Sequence, residues 1–198
     1  MRRALLRGLG LAALLALPLL SGCADGDLLG GGSGAAAAAA RLPQEAAGFR
    51  RGRTIDYERE RPGYGTGVDY ATANRAAVAT VSIYNRGRSS ISSDPTSSDI
   101  EGELRIAVQE ASESTIVGRS ARRFTASPPV TLAVDGSPGL RCARLQGTFG
   151  RAPVQRLVCV GGASGKFVRV QVTMPASGAP GADPDAFAIA MLRAARGR

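Results

Sequence analysis

Histidine and tryptophan are absent from this 198-residue chain, lysine occurs once, at Lys166, and aromatic residues make up only 5%. Without histidine there is no Ser-His-Asp or Cys-His nucleophile, no histidine-ligated zinc and no imidazole pH switch. With so few aromatics, the core has to be built from Ala, Val, Leu and Ile, which the 44% hydrophobic fraction allows. No Cys-x-x-Cys pair is present among the three cysteines, which excludes the usual dithiol redox arrangement. The length suits one domain rather than two.

What is present begins with an address. Arg2, Arg3 and Arg7 form a basic start, and Gly8 to Leu20 an apolar stretch that leads through small residues to Cys23. The 15 uncharged residues from Gly8 to Gly22 would rise roughly 22 Å as a helix, short of the ~30 Å hydrocarbon core, and Pro18 weakens the helix further. Residues 1–22 therefore read as a cleavable export signal. Leu20-Ser21-Gly22-Cys23 resembles the lipobox of bacterial lipoproteins at all four positions. That resemblance implies acylation of Cys23 and cleavage before it. Two or three acyl chains on one residue anchor stably where a single chain does not. The expected location is the cell envelope, lipid-anchored and facing the periplasm. Ala24 after the cysteine, with Asp25 one place later, slightly favours the outer membrane over the inner.

Without Arg2, Arg3 and Arg7 the 25 basic residues become 22 against 16 acidic, a net charge of +6. A basic envelope protein suits anionic headgroups or polyanions. No helix-turn-helix or RNA-binding motif occurs, and an exported lipoprotein has little access to nucleic acid, so none is expected as a partner. Residues 23–48 read as the lipidated cysteine and a Gly/Ala-rich tether: Gly30 to Gly34 is flexible-linker chemistry, and Ala35 to Ala40 is too short a run to hold a helix alone. Arg50, Arg51 and Arg53 follow, either a contact to an anionic surface or a solvated start to the globular domain, residues 49–198.

Within that domain the hydrophobic period predicts strands at Thr66 to Tyr70 and Ala77 to Tyr84, with a possible extra strand near Thr54. Ser98-Asp99-Ile100-Glu101 fits a capping box before a helix whose inner face is Ile100, Leu104, Ala107, Val108 and Ala111. Strand patterns then follow at Arg119 to Ala126, Val130 to Val134, Leu140 to Gly147, Val154 to Val160 and Lys166 to Met174. In the last, Val168, Val170, Val172 and Met174 share one face. Asp183-Pro184 reads as an N-cap and N1 proline, opening a helix with Phe187, Ala190, Met191 and Ala194 inward. This is an α+β domain, a mostly antiparallel sheet packed by two helices. From Val78 to the C-terminus the element order resembles the PsbP-like α/β/α sandwich of photosystem extrinsic proteins and some bacterial lipoproteins. That resemblance implies a fold and carries no residue roles.

Cys142 and Cys159 remain once Cys23 is lipidated. In an oxidising compartment an even pair reads as a disulfide, and a hairpin centred between Gly150 and Arg151 puts 142 opposite 159. Gly161 to Lys166 fails the spacing of a phosphate loop and reads as a tight hairpin turn. Ser164 and Lys166 lack the desolvation that a catalytic Ser-Lys pair needs. Glu101, Glu103, Glu110 and Glu113 fall around the polar side of the first helix, Arg122-Arg123 point to opposite strand faces, and no calcium loop is visible. No catalytic, cofactor or metal residue is assigned. The expectation is a non-enzymatic envelope lipoprotein that docks a protein or polyanionic partner. The rival is a small-molecule binder or enzyme using Arg, Asp and Glu in a cleft between sheet and helix.

Overall fold

A computed structural model describes residues 31–113 and 124–198. Its elements are α1 (Gly31–Ala40), β1 (Glu45–Ala46), β2 (Phe49–Asp56), β3 (Thr66–Ala71), β4 (Val78–Tyr84), α2 (Ser98–Ser112), β5 (Thr125–Ala126), β6 (Val130–Val134), β7 (Ser137–Phe149), β8 (Ala152–Ala163), β9 (Lys166–Pro175) and α3 (Pro184–Ala195). The strands form one sheet in the order β1-β2-β3-β4-β9-β8-β7-β5, with β6 also beside β7. Every described pairing is antiparallel. The fold is α+β, as the sequence implies, but among the described residues three helices cover the sheet instead of two.

The consecutive meander predicted after α2 holds for β6 to β9. The last of these, β9, then inserts between β8 and β4, and so joins the two halves of the sheet. Its alternation explains that central place. Val168, Val170, Val172 and Met174 bury on one face with Val81 and Ile83 of β4, against α3 and α1. Phe167 buries on the other, under α2. Both hairpin turns come where expected. Phe149 pairs with Ala152 around Gly150-Arg151, and Ala163 pairs with Lys166 around Ser164-Gly165. Ser164 and Gly165 both take positive φ, the requirement of a two-residue turn that follows strand twist. Cys142 and Cys159 face each other across β7 and β8, fully buried, with their sulfurs bonded at 2.09 Å.

The tether expected over 23–48 does not extend through its second half. Helix α1 is folded onto the sheet, with Ala35, Ala38, Ala39 and then Leu42 buried in the same core as α3. An alanine run has no amphipathic period to reveal this. Its methyl-only surface allows close approach to the sheet, and packing supplies the stability that a ten-residue helix lacks alone. Two arginines complete the docking. Arg51 donates to the Leu42 and Ala39 carbonyls at the C-terminal end of α1, at 2.7 and 3.0 Å. Arg41 donates to the Ala195 carbonyl at 2.7 Å and to that of Ala194 at 3.4 Å, tying the end of α1 to the end of α3. The folded unit therefore includes α1, not just residues 49–198.

Smaller corrections follow the same logic of packing. The α2 N-cap is Ser97, one residue earlier than the predicted box, and its hydroxyl accepts from the Ile100 amide. Asp183 and Pro184 cap α3 as predicted, but the buried stripe is Phe187, Ala188, Met191, Leu192 and Ala195, rotated from the expected one. Phe187 is common to both stripes, and its ring sits 4.6 Å from Phe49 and 5.0 Å from Tyr70. The strand near Thr54 is the eight-residue β2. Of the strand expected at Arg119 to Ala126, only Thr125 and Ala126 are described as β5; residues 119–123, with Arg122 and Arg123, lie outside the described residues.

Candidate functional site

The two faces of the sheet are covered unequally. On the α1/α3 face the core is continuous. On the other face α2 packs over β7, β8 and the Phe167 end of β9, and among the described residues no helix lies over the rest of the β3-β4-β9 half. The residues that point to that open half are Asp69 of β3, Thr80 and Ser82 of β4, and Arg169 and Gln171 of β9. Cross-strand register places Asp69 beside Thr80, Thr80 beside Gln171, and Ser82 beside Arg169. A polar patch on the sheet becomes one floor of a cleft of about 370 Å³. The walls are α2, through Glu110, and the β2–β3 loop, through Tyr57, Arg61 and Tyr64.

At the inner end a buried ion network fixes the geometry. Glu103, 3% exposed, accepts from the Tyr84 hydroxyl at 2.7 Å and from Arg86 Nε and Nη2 at 2.8 and 2.9 Å. Arg86 also reaches Glu110 at 3.3 Å, and Arg169 holds the other oxygen of Glu110. Arg169 is anchored further by the Ala107 carbonyl at 3.4 Å and Gln171 Oε1 at 3.2 Å. Burial, then the charge and hydrogen bond of Glu103, push the Tyr84 hydroxyl far above its ordinary value. The hydrogen bond to Glu103 raises Arg86, while burial works against it. For Glu110, burial favours protonation, but the bonds and charges of Arg169 and Arg86 together hold it below the usual carboxylate value. Arg86 itself has φ 52°, a region that long side chains seldom adopt, and its bidentate grip on Glu103 offsets that strain.

The outer wall is equally built. Glu58 folds its carboxylate back onto the loop, accepting from the Gly63 and Gly65 amides at 2.9 and 2.7 Å. Arg86 N donates to the Gly63 carbonyl at 2.8 Å, which joins this loop to the turn after β4. Gly67 lets the Tyr57 ring lie directly on β3; a Cβ there would be 2.8 Å from the ring. Arg61 stacks 4.1 Å over the Tyr64 ring and donates to its hydroxyl at 3.1 Å. Tyr57 and Tyr64 remain more than a third exposed, facing the floor.

Of the residues singled out in the sequence, Glu110 lines this cleft and Glu103 frames its inner end, whereas the arginine cluster and the cysteines do not. Arg50 pairs with Glu45 at 3.1 Å, Arg53 with Asp69 at 2.7 Å, and Arg51 caps α1. Cys142 and Cys159 lie on the opposite, α3-side core. Cys23 lies outside the described residues, with the whole of 1–30. Among the described residues no helix is long and apolar enough to cross a membrane, and no group of three metal-ligating side chains gathers. Glu103 corrects the expectation that the acidic residues of α2 are all solvated. A signal for it existed: Glu103 stands between Ile100 and Ala107 at helical spacing, inside the buried stripe. Nothing in the local pattern of residues 57–64 announces the other wall.

No protein-family model matches the chain, and no curated protein is similar enough to match it. Among solved structures, the chain is similar to the solution structure of cyanobacterial PsbP (CyanoP) from Synechocystis sp. PCC 6803. The TM-score is 0.41 and the identity 18%, over 66% of this chain and 82% of that one. No residue role transfers across a likeness of that size.

Proposed function

We propose that this chain is a lipid-anchored lipoprotein of the bacterial envelope, periplasm-facing and non-enzymatic, that binds a small polar ligand in the cleft beside α2. The observation that carries the reading is convergence. Arg61, Arg86, Arg169, Glu110, Ser82 and Gln171 meet around one concavity of about 370 Å³, walled by two tyrosines. Such a volume lies at the lower end of ordinary ligand pockets, where a few placed polar groups set specificity. Binding fits its chemistry better than catalysis. Tyr84 is held protonated and Glu110 is held ionised by arginines, so neither is poised to exchange a proton near neutral pH.

Arg50, Arg51 and Arg53 support a surface-docking role less well, since each already has an intramolecular partner. The anchor rests on the signal and on Leu20-Ser21-Gly22-Cys23. Metabolic labelling with an acyl precursor tests it, and label persisting on a Cys23→Ser variant would remove that half of the proposal. For the cleft, thermal-shift screening of the full-length protein against envelope-derived small molecules should find a stabilising compound. Ser82→Leu, which fills the floor, should abolish that stabilisation without lowering the basal Tm. Stabilisation indifferent to Ser82→Leu would place the ligand elsewhere.

A further inference from the structure

Building on the cleft reading, we infer that the ligand is a hydroxyl-rich small anion of the class of sugar phosphates and sugar acids, and that Glu110 occupies the position of its anionic group. The arginines are the starting point. Glu110 is 48% exposed and reaches out from α2 between Arg86 and Arg169, one carboxylate oxygen to each. Neither arginine depends on it for position. Arg86 keeps two bonds to buried Glu103, and Arg169, 15% exposed, keeps the Ala107 carbonyl and Gln171. Two fixed guanidinium groups thus converge on a half-exposed carboxylate that a swing of its own side chain can withdraw. A phosphate or carboxylate entering from solvent takes up the same donors.

The rest of the cleft defines the body that carries this charge. Arg61 has no carboxylate partner among the described residues and stands on the wall across the cleft. The floor offers a hydroxyl at Ser82 and an amide at Gln171, neutral partners suited to hydroxyl groups. Tyr57 and Tyr64 supply ring surface suited to the C–H face of a saccharide ring. An apolar anion would leave the floor unpaired, and a neutral sugar would leave Glu110 in place.

The test is titration calorimetry of the full-length protein in detergent with glucose 6-phosphate, glucuronate, glucose and inorganic phosphate, on the parent and on Glu110→Gln. At least one of the two sugar anions should bind, and which one distinguishes a phosphate from a carboxylate ligand. Glu110→Gln removes the competing carboxylate and keeps the side-chain volume, so it should tighten that binding about tenfold. Arg61→Ala should weaken it. Glucose should bind at least about tenfold more weakly than the sugar anion, because it cannot displace Glu110. Unchanged or weaker binding by Glu110→Gln would overturn the inference, as would glucose binding equally well. Inorganic phosphate binding as tightly as the sugar anions would overturn the saccharide half. A neutral or cationic compound that binds in a Ser82-dependent manner would sink this inference while leaving the cleft itself standing.

Discussion

Removing the guanidinium from Glu103 should be worse than removing both partners. The carboxylate is 3% exposed and takes three hydrogen bonds, two of them from Arg86. Arg86→Met keeps the stem that packs beside Tyr84 but strands an ionised group with a single donor. Uncompensated burial of that kind costs about 3–5 kcal/mol, out of a typical 5–15 for a whole domain. For a domain of this size each kcal/mol shifts Tm by roughly 2–4 °C, so a fall of about 10 °C is expected. In the double variant Arg86→Met with Glu103→Leu, no charge is left without its partner, and part of the loss should return, the rest remaining because the Tyr84 hydroxyl loses its acceptor. Glu110 and Arg169 remain paired in both variants. Urea denaturation followed by circular dichroism reads all three proteins. If Arg86→Met costs under about 1 kcal/mol, or the double variant is no better than the single, then the pair is not a desolvated one. The network would then be surface decoration, and the inner end of the cleft would have no fixed frame.

Other outcomes follow from features on both faces. Replacing Cys142 and Cys159 by alanine opens a bond between directly opposed residues 17 apart in sequence, and should cost about 2–5 kcal/mol by denaturant titration; alkylation of both thiols in exported protein without reductant would refute the bridge. Ala38→Leu overfills the contact between α1 and the sheet and should cost about 1–3 kcal/mol, whereas a tether would not respond. Glu110, whose folded value is depressed, contributes stability that is present above the ordinary carboxylate value of 4.5 and is lost as pH falls through the lower folded one. The Tm gap between parent and Glu110→Gln should therefore be steady from about pH 8 to about pH 5 and close under more acid conditions. It should also be small, because the group is half exposed and screened.

Strand order in the C-terminal half was legible because period-2 alternation and turn chemistry agree there. Val168, Val170 and Val172 alternate with Phe167, Arg169 and Gln171, and Ser164-Gly165 closes the hairpin, so side-chain facing and register both follow. Helix α1 was not legible, since a run of alanines carries no direction and its burial is decided by the β3–β4 surface it meets, with α3 alongside. The cleft was half legible. That Arg169 and Gln171 share a face is a matter of parity. That no described helix covers this face depends on where α2 comes to rest, which is a tertiary fact. Glu103 was readable in principle from its place in the stripe, but its partner Arg86 lies 17 residues away in a turn, beyond any local pattern.

Helix α1 also sets how the folded body takes a mechanical load. If the chain is held at Cys23 as proposed, a pull from that side meets this ten-residue element first among the described residues, laid on the sheet by small methyl contacts and pinned at its far end by Arg41 and Arg51. Alanine contacts are shallow, so α1 should peel before any strand of the nine-stranded sheet shears. Peeling converts about 15 Å of helix into about 34 Å of extended chain, a reserve of roughly 19 Å in reach. The cleft lies on the opposite face, framed by β3, β4, β9 and α2, none of which has to move. Under the proposed anchor and cleft, such a body lengthens on one face while the binding face on the other stays intact.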